Sequence, residues 1–414
     1  HKYIYSIKQI GTIKVKRVAI TGMGIIDALG SNPTECFDAM MDKKYTPPPA
    51  FENARLDRHK EQPVFPVNKD KLVLPELRPA VLRNLEPNTL FALHCIDQAL
   101  EQSGVEHSDN VAVIGSSVTS GNHVVFDLYP ILHSETGRAK PRQLLTTTKD
   151  FMAGYICQHY SYKGPNTSMY AACATSLFSI DYAMKFVADY DYVVCCVSDQ
   201  GVNDTDVGFF KQLGAIGNHS VPFDDDRDGF IMGEGAGAFI LESEEKAKAR
   251  GANIIAYLYS AGFGSDGTSP TAPDPDGAGA KLSMKHALKN RVWHLGSDIA
   301  FVNAHGTSTP VGDEIEYNAI KEVLGNVPIV SNKSKIGHTM GACGIIEAIY
   351  TIKSLQSGQL PDNHNISNCS FDTEGMITTK DRTVKGTLAL NNSFGFGGKC
   401  ASQLIEVSKS TDNY

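Results

Sequence analysis

The sequence predicts an α/β fold, and three observations point that way. Strand-like apolar runs bounded by Gly or Asn recur along the chain, helical patterns alternate with them, and no low-complexity tract separates independent domains. Such alternation calls for mixed or parallel sheets flanked by helices. The strand-like runs are Arg17–Thr21, Val111–Ile114, Tyr192–Val197, Ala236–Leu241, Phe301–Val302 and Thr387–Leu390. Leu90, Leu93, Ile96 and Leu100 recur every three or four residues, as do Leu177, Ile180, Met184 and Val187, so each set lines one helix face. Leu56–Pro79 and Ser265–Asp276 are rich in charge, Pro, Asp and Gly and read as surface loops. A faint echo links two places. Ser168-Met-Tyr-Ala-Ala-Cys-Ala leads into an apolar helix, and Val330-Ser-Asn-Lys-Ser-Lys-Ile-Gly-His leads into another near Gly341, as a duplicated unit would.

Composition removes several classes of function. The 414 residues carry 38 Lys+Arg against 46 Asp+Glu, a net charge of −8, which argues against a nucleic-acid surface. Hydrophobic residues are 42% and charged residues 20%, ordinary for a globular protein, and no apolar run approaches the roughly 18 residues of a membrane span. The basic stretch His1–Lys16 is too polar for a signal-peptide core, so no export is expected. Nine cysteines, an odd number in mostly apolar contexts, suggest a reducing cytoplasm and a thiol free for chemistry.

The glycines of Ile20-Thr-Gly-Met-Gly-Ile-Ile-Asp-Ala-Leu-Gly30 invite a dinucleotide-binding reading, but Asp27 stands where the fingerprint needs Gly or Ala. A tight structural turn is expected instead. Cys173, in Tyr170-Ala-Ala-Cys-Ala-Thr-Ser, has small neighbours that admit a substrate and sits where a helix starts, where free N–H groups and the dipole favour a thiolate. The alternative is an inert buried cysteine. His305 and His338 lie among Gly and hydroxyl residues rather than in an apolar periodic pattern. Their wide spacing gives no close ligand pair for zinc, and a pair of neutral N–H donors near a thiol fits better; no metal is expected. Asn391-Asn-Ser-Phe-Gly-Phe-Gly-Gly398 reads as a mobile loop after a strand, without the Gly-Lys-Ser/Thr ending of a phosphate-binding loop.

Taken in order, these segments resemble the β-ketoacyl-(acyl-carrier-protein) synthases, condensing enzymes of the thiolase-like superfamily. The likeness runs from Val18 to about Glu406 and includes Val18-Ala-Ile-Thr-Gly-Met-Gly, the Ala-Cys-Ala segment and Pro222-Phe-Asp-Asp-Asp-Arg-Asp-Gly-Phe-Ile-Met-Gly-Glu-Gly-Ala-Gly. It continues through His305-Gly-Thr-Ser-Thr-Pro, Lys333 to His338 and the Gly-Phe-Gly-Gly loop. The resemblance implies a thiolase-like α/β fold, two related halves (17–260 with the nucleophilic Cys, 261–414 with the two His) in one five-layered αβαβα core, usually dimeric. It implies that Cys173 takes the acyl chain, that His305 and His338 promote decarboxylation of malonyl-carrier protein, and that Lys333 pairs with Glu316 beside them. Thr307 and Thr309 would hold the pantetheine amides, with Thr271 a further substrate contact. Phe396, flanked by Gly395 and Gly397, would form the gate, its N–H sharing the oxyanion with that of Cys173. Val118 falls where pocket depth is tuned, and a Val there implies medium or long acyl chains. No cofactor is implied beyond the phosphopantetheine of the acyl carrier protein.

Departures from the family narrow the pathway. Ala-Thr-Ser follows Cys173 where the fatty-acid enzymes usually have Ala-Thr-Gly or Ala-Ser-Gly, and Cys195-Cys-Val-Ser-Asp199 replaces Ala-Gly-Gly-Ala-Glu. Residues 54–79 and 133–148 also fit the housekeeping enzymes loosely. A specialised type II polyketide or polyene pathway is therefore expected, with fatty-acid elongation as the alternative and with a homodimer or a heterodimer with a chain-length-factor-like subunit. A thiolase would carry Cys-x-Gly-Gly near its C-terminus, whereas Gly397-Gly-Lys-Cys400 has the reverse order. A silent partner subunit would lack the nucleophile; Cys173, His305, His338 and Lys333 are all present.

Overall fold

The computed structural model describes residues 17–408 except 45, 83–84 and 290–298. The basic stretch His1–Lys16 lies outside the described residues, as does the end of the second predicted half beyond residue 408. The strands in chain order are β1 (Val18–Ile26), β2 (Val64–Phe65), β3 (Val111–Ser116), β4 (Asn166–Thr167), β5 (Tyr192–Gln200), β6 (Met232–Ser243) and β7 (Ala256–Leu258). They continue with β8 (Gly262–Ser265), β9 (Ile299–Asn303), β10 (Ile329–Val330), β11 (Gln359–Leu360), β12 (Arg382–Thr383), β13 (Leu388–Gly395) and β14 (Lys399–Glu406). All six runs expected as strands are strands.

One sheet runs β10-β9-β13-β14-β7-β1-β6-β5-β3-β4. Read inward from either edge it repeats itself. β4, β3 and β5 are parallel and β6 and β1 follow antiparallel; β10, β9 and β13 are parallel and β14 and β7 follow antiparallel. The antiparallel β1–β7 pairing joins the two half-sheets. The structure thus gives the faint sequence echo a topological counterpart.

Helices make the other layers. Pro87–Ser103 and Phe151–Tyr160 cover the outer face of the first half-sheet, burying Phe91, Ile96, Met152 and Ile156 against β3, β5 and β6. Ala278–Lys289 and Gly312–Leu324 cover the outer face of the second, around Met284, Tyr317 and Ile320. Thr175–Met184 and Cys343–Ser357 lie side by side between the half-sheets. Cys343–Ser357 is apolar or small almost all round, and nearly all of it is buried, as a helix in a middle layer requires. The result is the five-layered αβαβα order of the thiolase-like fold. Thr175–Met184 ends before Val187, which the periodicity had assigned to it.

The glycines near the start correct one expectation. Gly22 and Gly24 sit inside β1, not in a turn. A Cβ there would lie 1.9 Å from the Ala99 oxygen and 2.0 Å from the Cys95 oxygen. Their role is to let the helix Pro87–Ser103 press its backbone onto the strand.

Candidate active site

The nucleophile segment is shaped by its backbone. Ala172 has φ 48, a left-handed conformation that a β-branched residue would resist, and it turns the chain so that Cys173 faces the site. The Ala171 N–H donates to Thr175 Oγ1 at 2.8 Å, and the Cys173 carbonyl accepts from Ser393 Oγ at 2.8 Å and from the Cys343 thiol at 3.3 Å. The helix Thr175–Met184 starts two residues on.

The second half supplies the imidazoles. His338 Nε2 lies 3.1 Å from Cys173 Sγ. Its backbone is pinned to the β6 side by the bonds His338 N–H to Ile231 O, 2.8 Å, and Gly233 N–H to His338 O, 2.9 Å. The His305 and His338 rings meet edge-on with centroids 5.4 Å apart. Cys173, His305 and His338 are all buried, and their reactive atoms lie within 4.8 Å of one another.

Lys333 and Glu316 are both beside the histidines, but they are not each other's partner. Lys333 Nζ forms its ion pair with Glu347 and donates to the His305 carbonyl at 2.6 Å. Glu316 instead accepts from the N–H groups of His305 and Gly306, both at 2.8 Å, and from Asn392 Nδ2 at 3.1 Å. The reason is positional: Glu347 sits one turn into Cys343–Ser357, in the same buried layer as Lys333, whereas Glu316 on Gly312–Leu324 reaches the loop after β9. Glu347 had no sequence signal beyond being a carboxylate in an otherwise apolar helix, which was the signal to follow.

Charge states follow from burial. Burial pushes the Cys173 thiol up to about 12, against the pull of the Lys333 ammonium. Burial, then Lys333, holds His305 and His338 well below the ordinary histidine value, and His338 disfavours charge on His305 further. Desolvation thus works against the helix-dipole thiolate expected from the sequence and favours a neutral thiol against a neutral imidazole. Burial also works against the Lys333 charge, but Glu347 and Glu316 more than compensate and keep it protonated.

A cavity of about 380 Å³ opens onto Cys173, His305 and His338. Thr271, Thr307 and Thr309 lie on its wall, as do Gly395, Phe396 and Gly397. Asp313 accepts from the N–H groups of Thr307 at 3.0 Å and Ser308 at 3.1 Å, and the Thr307 and Thr309 hydroxyls are 3.2 Å apart. The segment expected as a mobile loop is mostly strand: Asn391–Gly395 belongs to β13, and Phe396, Gly397 and Gly398 form the turn into β14. Gly395 is needed because a Cβ there would lie 2.9 Å from the Cys173 nitrogen. Gly397 is no oxyanion donor, since its N–H donates to Pro270 O at 2.7 Å.

Val118 does not line this cavity. It abuts Gly341, in a turn held by Asp199. One Asp199 oxygen accepts from Ser117 Oγ at 2.8 Å and from the N–H groups of Val118 at 2.8 Å and Thr119 at 2.7 Å; the other takes the Ala342 N–H at 3.1 Å. Asp199 thus ties the Val118 turn to the start of the second central helix, a role that its strand-end position alone could not disclose.

The family model described as "Beta-ketoacyl synthase, N-terminal domain" matches residues 15–247, and "Beta-ketoacyl synthase, C-terminal domain" matches 255–367. The chain belongs to the β-ketoacyl synthase family. It is a β-ketoacyl-ACP synthase, an acyltransferase of the condensing type. The synthase is 34% identical over 333 residues to the 3-oxoacyl-[acyl-carrier-protein] synthase 2 of Vibrio cholerae, covering 75% of this chain and 80% of the relative. It is 33% identical over 350 residues to the Rhizobium meliloti synthase 2, covering 80% and 83%. A Burkholderia phymatum β-ketoacyl synthase superposes with TM-score 0.84 at 27% identity, covering 95% of this chain and all of that one. The ishigamide ketosynthase/chain length factor superposes with the same TM-score, 0.84, at 25% identity and 95% coverage. Among the described residues of the synthase, no helix is long and apolar enough to cross a membrane.

Proposed function

We propose that Cys173 is acylated by an acyl-carrier protein and that His305 and His338 then drive decarboxylation of malonyl-carrier protein, in a specialised type II polyketide or polyene pathway. The observation that carries the chemistry is the 3.1 Å contact between His338 Nε2 and a neutral Cys173 thiol. In the first half-reaction the sulfur attacks the acyl carbonyl while His338 takes its proton. The carbonyl collapses, the bond to the pantetheine sulfur breaks, and the proton passes to that leaving thiolate.

In the second half-reaction, loss of CO2 from the malonyl group leaves an enolate oxygen. Two neutral imidazoles, each carrying its proton on Nε2 for this step after His338 has exchanged tautomer beside the acylated Cys173, stabilise it by donating hydrogen bonds, each such donor being worth about 3–4 kcal/mol in a dry site. The enolate carbon attacks the acyl-Cys173 carbonyl, whose oxyanion is held by the N–H groups of Cys173 and Phe396. The carbon–carbon bond forms as the Cys173 thiolate leaves. Lys333 and Glu316 position His305 through its carbonyl and N–H, while Thr307, Thr309 and Thr271 line the path of the pantetheine arm and Phe396 gates it.

No resident metal is part of this reading. The Cys173–His305–His338 spacing could suit an ion, but the Lys333 ammonium disfavours added positive charge at all three. The specialised pathway is supported by the Cys195–Asp199 departure; medium or long chains rest on the family resemblance at Val118 alone, since that residue lies off the cavity wall. A dimer or a heterodimer with a chain-length-factor-like subunit is supported by the exposed Val125, Phe126, Tyr129, Leu132, Leu144 and Leu145. A ketosynthase from Xenorhabdus doucetiae, 22% identical, is solved in complex with its chain length factor. Nine free cysteines suit a cytoplasmic location.

Mass spectrometry tests the assignment. Acyl transfer from a carrier protein to the wild type is expected and is lost in Cys173→Ala, with decarboxylation retained. If Cys173→Ala still makes β-ketoacyl product, the nucleophile is misassigned. Acylation by short primers alone would remove the chain-length reading, and copurification with a paralogous subunit would decide the assembly.

A further inference from the structure

The cavity wall that carries Thr307 and Thr309 is clasped by a loop of the first half-sheet. Residues 222–229, before β6, lie against residues 305–313, after β9. Each side of the clasp holds one non-glycine residue in the left-handed region, Phe223 at φ 71 and Ser308 at φ 66. Such conformations cost energy and persist only where the surroundings impose them. Here hydrogen bonds do so. The Phe223 N–H donates to Asp313 at 2.8 Å, and the Gly229 N–H donates to Ser308 O at 2.8 Å.

Asp313 and Arg227 grip opposite sides of the wall's peptide groups. Asp313 takes N–H groups, those of Thr307 and Ser308. Arg227 takes the carbonyls that follow: its Nε donates to Thr309 O at 3.0 Å and its Nη2 to Pro310 O at 2.6 Å. Its Nη1 donates to Asp224 O at 2.8 Å within its own loop, and its guanidinium lies 5.1 Å from the centre of the Phe371 ring. Asp224, Asp225, Asp226 and Asp228 flank Arg227 in sequence, yet all three of these acceptors are backbone carbonyls. Three of the aspartates hold other backbone instead. Asp224 takes the N–H of Asn368 at 3.1 Å, Asp225 that of Ser370 at 2.9 Å and Asp228 that of Asn218 at 2.9 Å. A planar fork can span two successive carbonyls, which a single ammonium does poorly. Thr309 and Pro310 line the cavity, whereas Arg227 stands behind them.

We propose that Arg227 is a positioning residue that sets the Thr307–Thr309 wall through the Thr309 and Pro310 carbonyls, and so governs affinity for the pantetheine arm rather than the rate of bond formation. Without it the wall keeps its N–H anchors at Asp313, but the two carbonyls lose this hold. The inference rests on the reading of Thr307 and Thr309 as the pantetheine contact and adds to it the residue that aims them.

The test uses the whole chain, acylated with octanoyl-carrier protein, and measures condensation with malonyl-carrier protein and with malonyl-pantetheine. Arg227→Met is expected to raise KM for both about tenfold, the scale of one charge-assisted hydrogen bond, with kcat within about twofold. Arg227→Lys keeps the charge without the fork and should still raise both KM values several-fold; it carries the test should Arg227→Met fail to fold. Asp226→Asn, exposed on the same loop, should leave both unchanged. Alkylation of Cys173 by iodoacetamide, which makes no use of the wall, should proceed at the wild-type rate in every variant.

The proposal is overturned if only the malonyl-carrier protein KM rises, or if Arg227→Lys restores the wild-type values, since either would make Arg227 a charge that meets the carrier protein. It is overturned too if kcat or Cys173 alkylation falls in step with the rise in KM, if KM does not move, or if Asp226→Asn shifts it equally. A malonyl-pantetheine KM untouched by Thr307→Val combined with Thr309→Val would instead overturn the reading of the two threonines, and this inference with it.

Discussion

The two sides of the active site are held in place by different physics. On the nucleophile side, Cys173 is placed by backbone geometry: a left-handed Ala172, small neighbours and neutral hydrogen bonds from Ser393 and Cys343. On the donor side, His305 and His338 stand beside buried charge, with Lys333 paired to Glu347 and Glu316 holding two N–H groups of the His305 loop. The difference teaches where each side is vulnerable. Removing a backbone-placed nucleophile costs chemistry and little stability, whereas removing one member of a buried ion pair strands its partner in an apolar layer.

The largest effect expected is chemical. Cys173→Ala should lower condensation at least about a thousandfold, while the fold and the decarboxylation of malonyl-carrier protein persist. Mass spectrometry of the acyl-enzyme, CO2 release and a melting curve check the three parts. Loss of the fold would place the nucleophile side under the same constraint as the donor side and end the contrast.

Next comes the ion pair. Glu347→Gln leaves the Lys333 ammonium buried without its ion-pair partner and should cost about 3–5 kcal/mol in urea unfolding, with Lys333→Met in the same chain recovering much of it. Glu316→Gln removes charge-assisted acceptors but strands no cation, so about 1–3 kcal/mol is expected. Equal costs for Glu347→Gln and Glu316→Gln would revive the Lys333–Glu316 pairing that the geometry rejects.

The pH dependence sharpens the same point. Folding raises the Cys173 thiol above, and lowers both imidazoles below, their unfolded values of about 8.5 and 6.5. As pH falls below about 6.5 the unfolded chain binds protons that the folded histidines refuse, so stability drops; above about 8.5 the unfolded thiol loses a proton that the folded one keeps, and stability drops again. Thermal melts should show a plateau between these limits. Alkylation of Cys173 by iodoacetamide should keep rising through pH 9 and 10. A plateau by pH 7 would mean a stabilised thiolate.

The smallest effect concerns backbone strain. Ala172→Gly relieves a left-handed alanine and should add about 1 kcal/mol of stability while slowing acylation a few-fold, because the turn that aims Cys173 loosens. Unchanged acylation would show that Ser393 and Cys343 alone suffice to aim it.

Much of the fold was legible because burial in an α/β protein imposes local patterns. The runs at Val111 and Tyr192 are apolar enough to be central strands, and the Leu90 to Leu100 spacing marks a helix face. Cys173, His305 and His338 stood out because small and hydroxyl residues surround them in place of apolar ones. The partnerships did not stand out. Lys333 had several acidic residues within twenty positions on its sequence flanks, Glu316 and Glu347 among them, and spacing alone could not choose between them. Gly22 and Gly24 looked like a turn because their constraint, a helix backbone pressed on the strand, comes from Ala99 and Cys95, far away in sequence. Asp199 stood out only as part of the Cys195–Asp199 departure, and its role stayed hidden because it acts by what it touches.

The amino-acid sequence by itself determined the alternation of strands and helices, the family and the three residues at the chemical centre, because backbone periodicity and small-residue motifs are local properties. Tertiary structure decided the charge states and the pairings: that Cys173 rests as a thiol, that Lys333 belongs to Glu347, and that Val118 lies off the cavity wall. Desolvation and ion pairing depend on what surrounds a group in space, and for these residues the surroundings come from both halves of the chain.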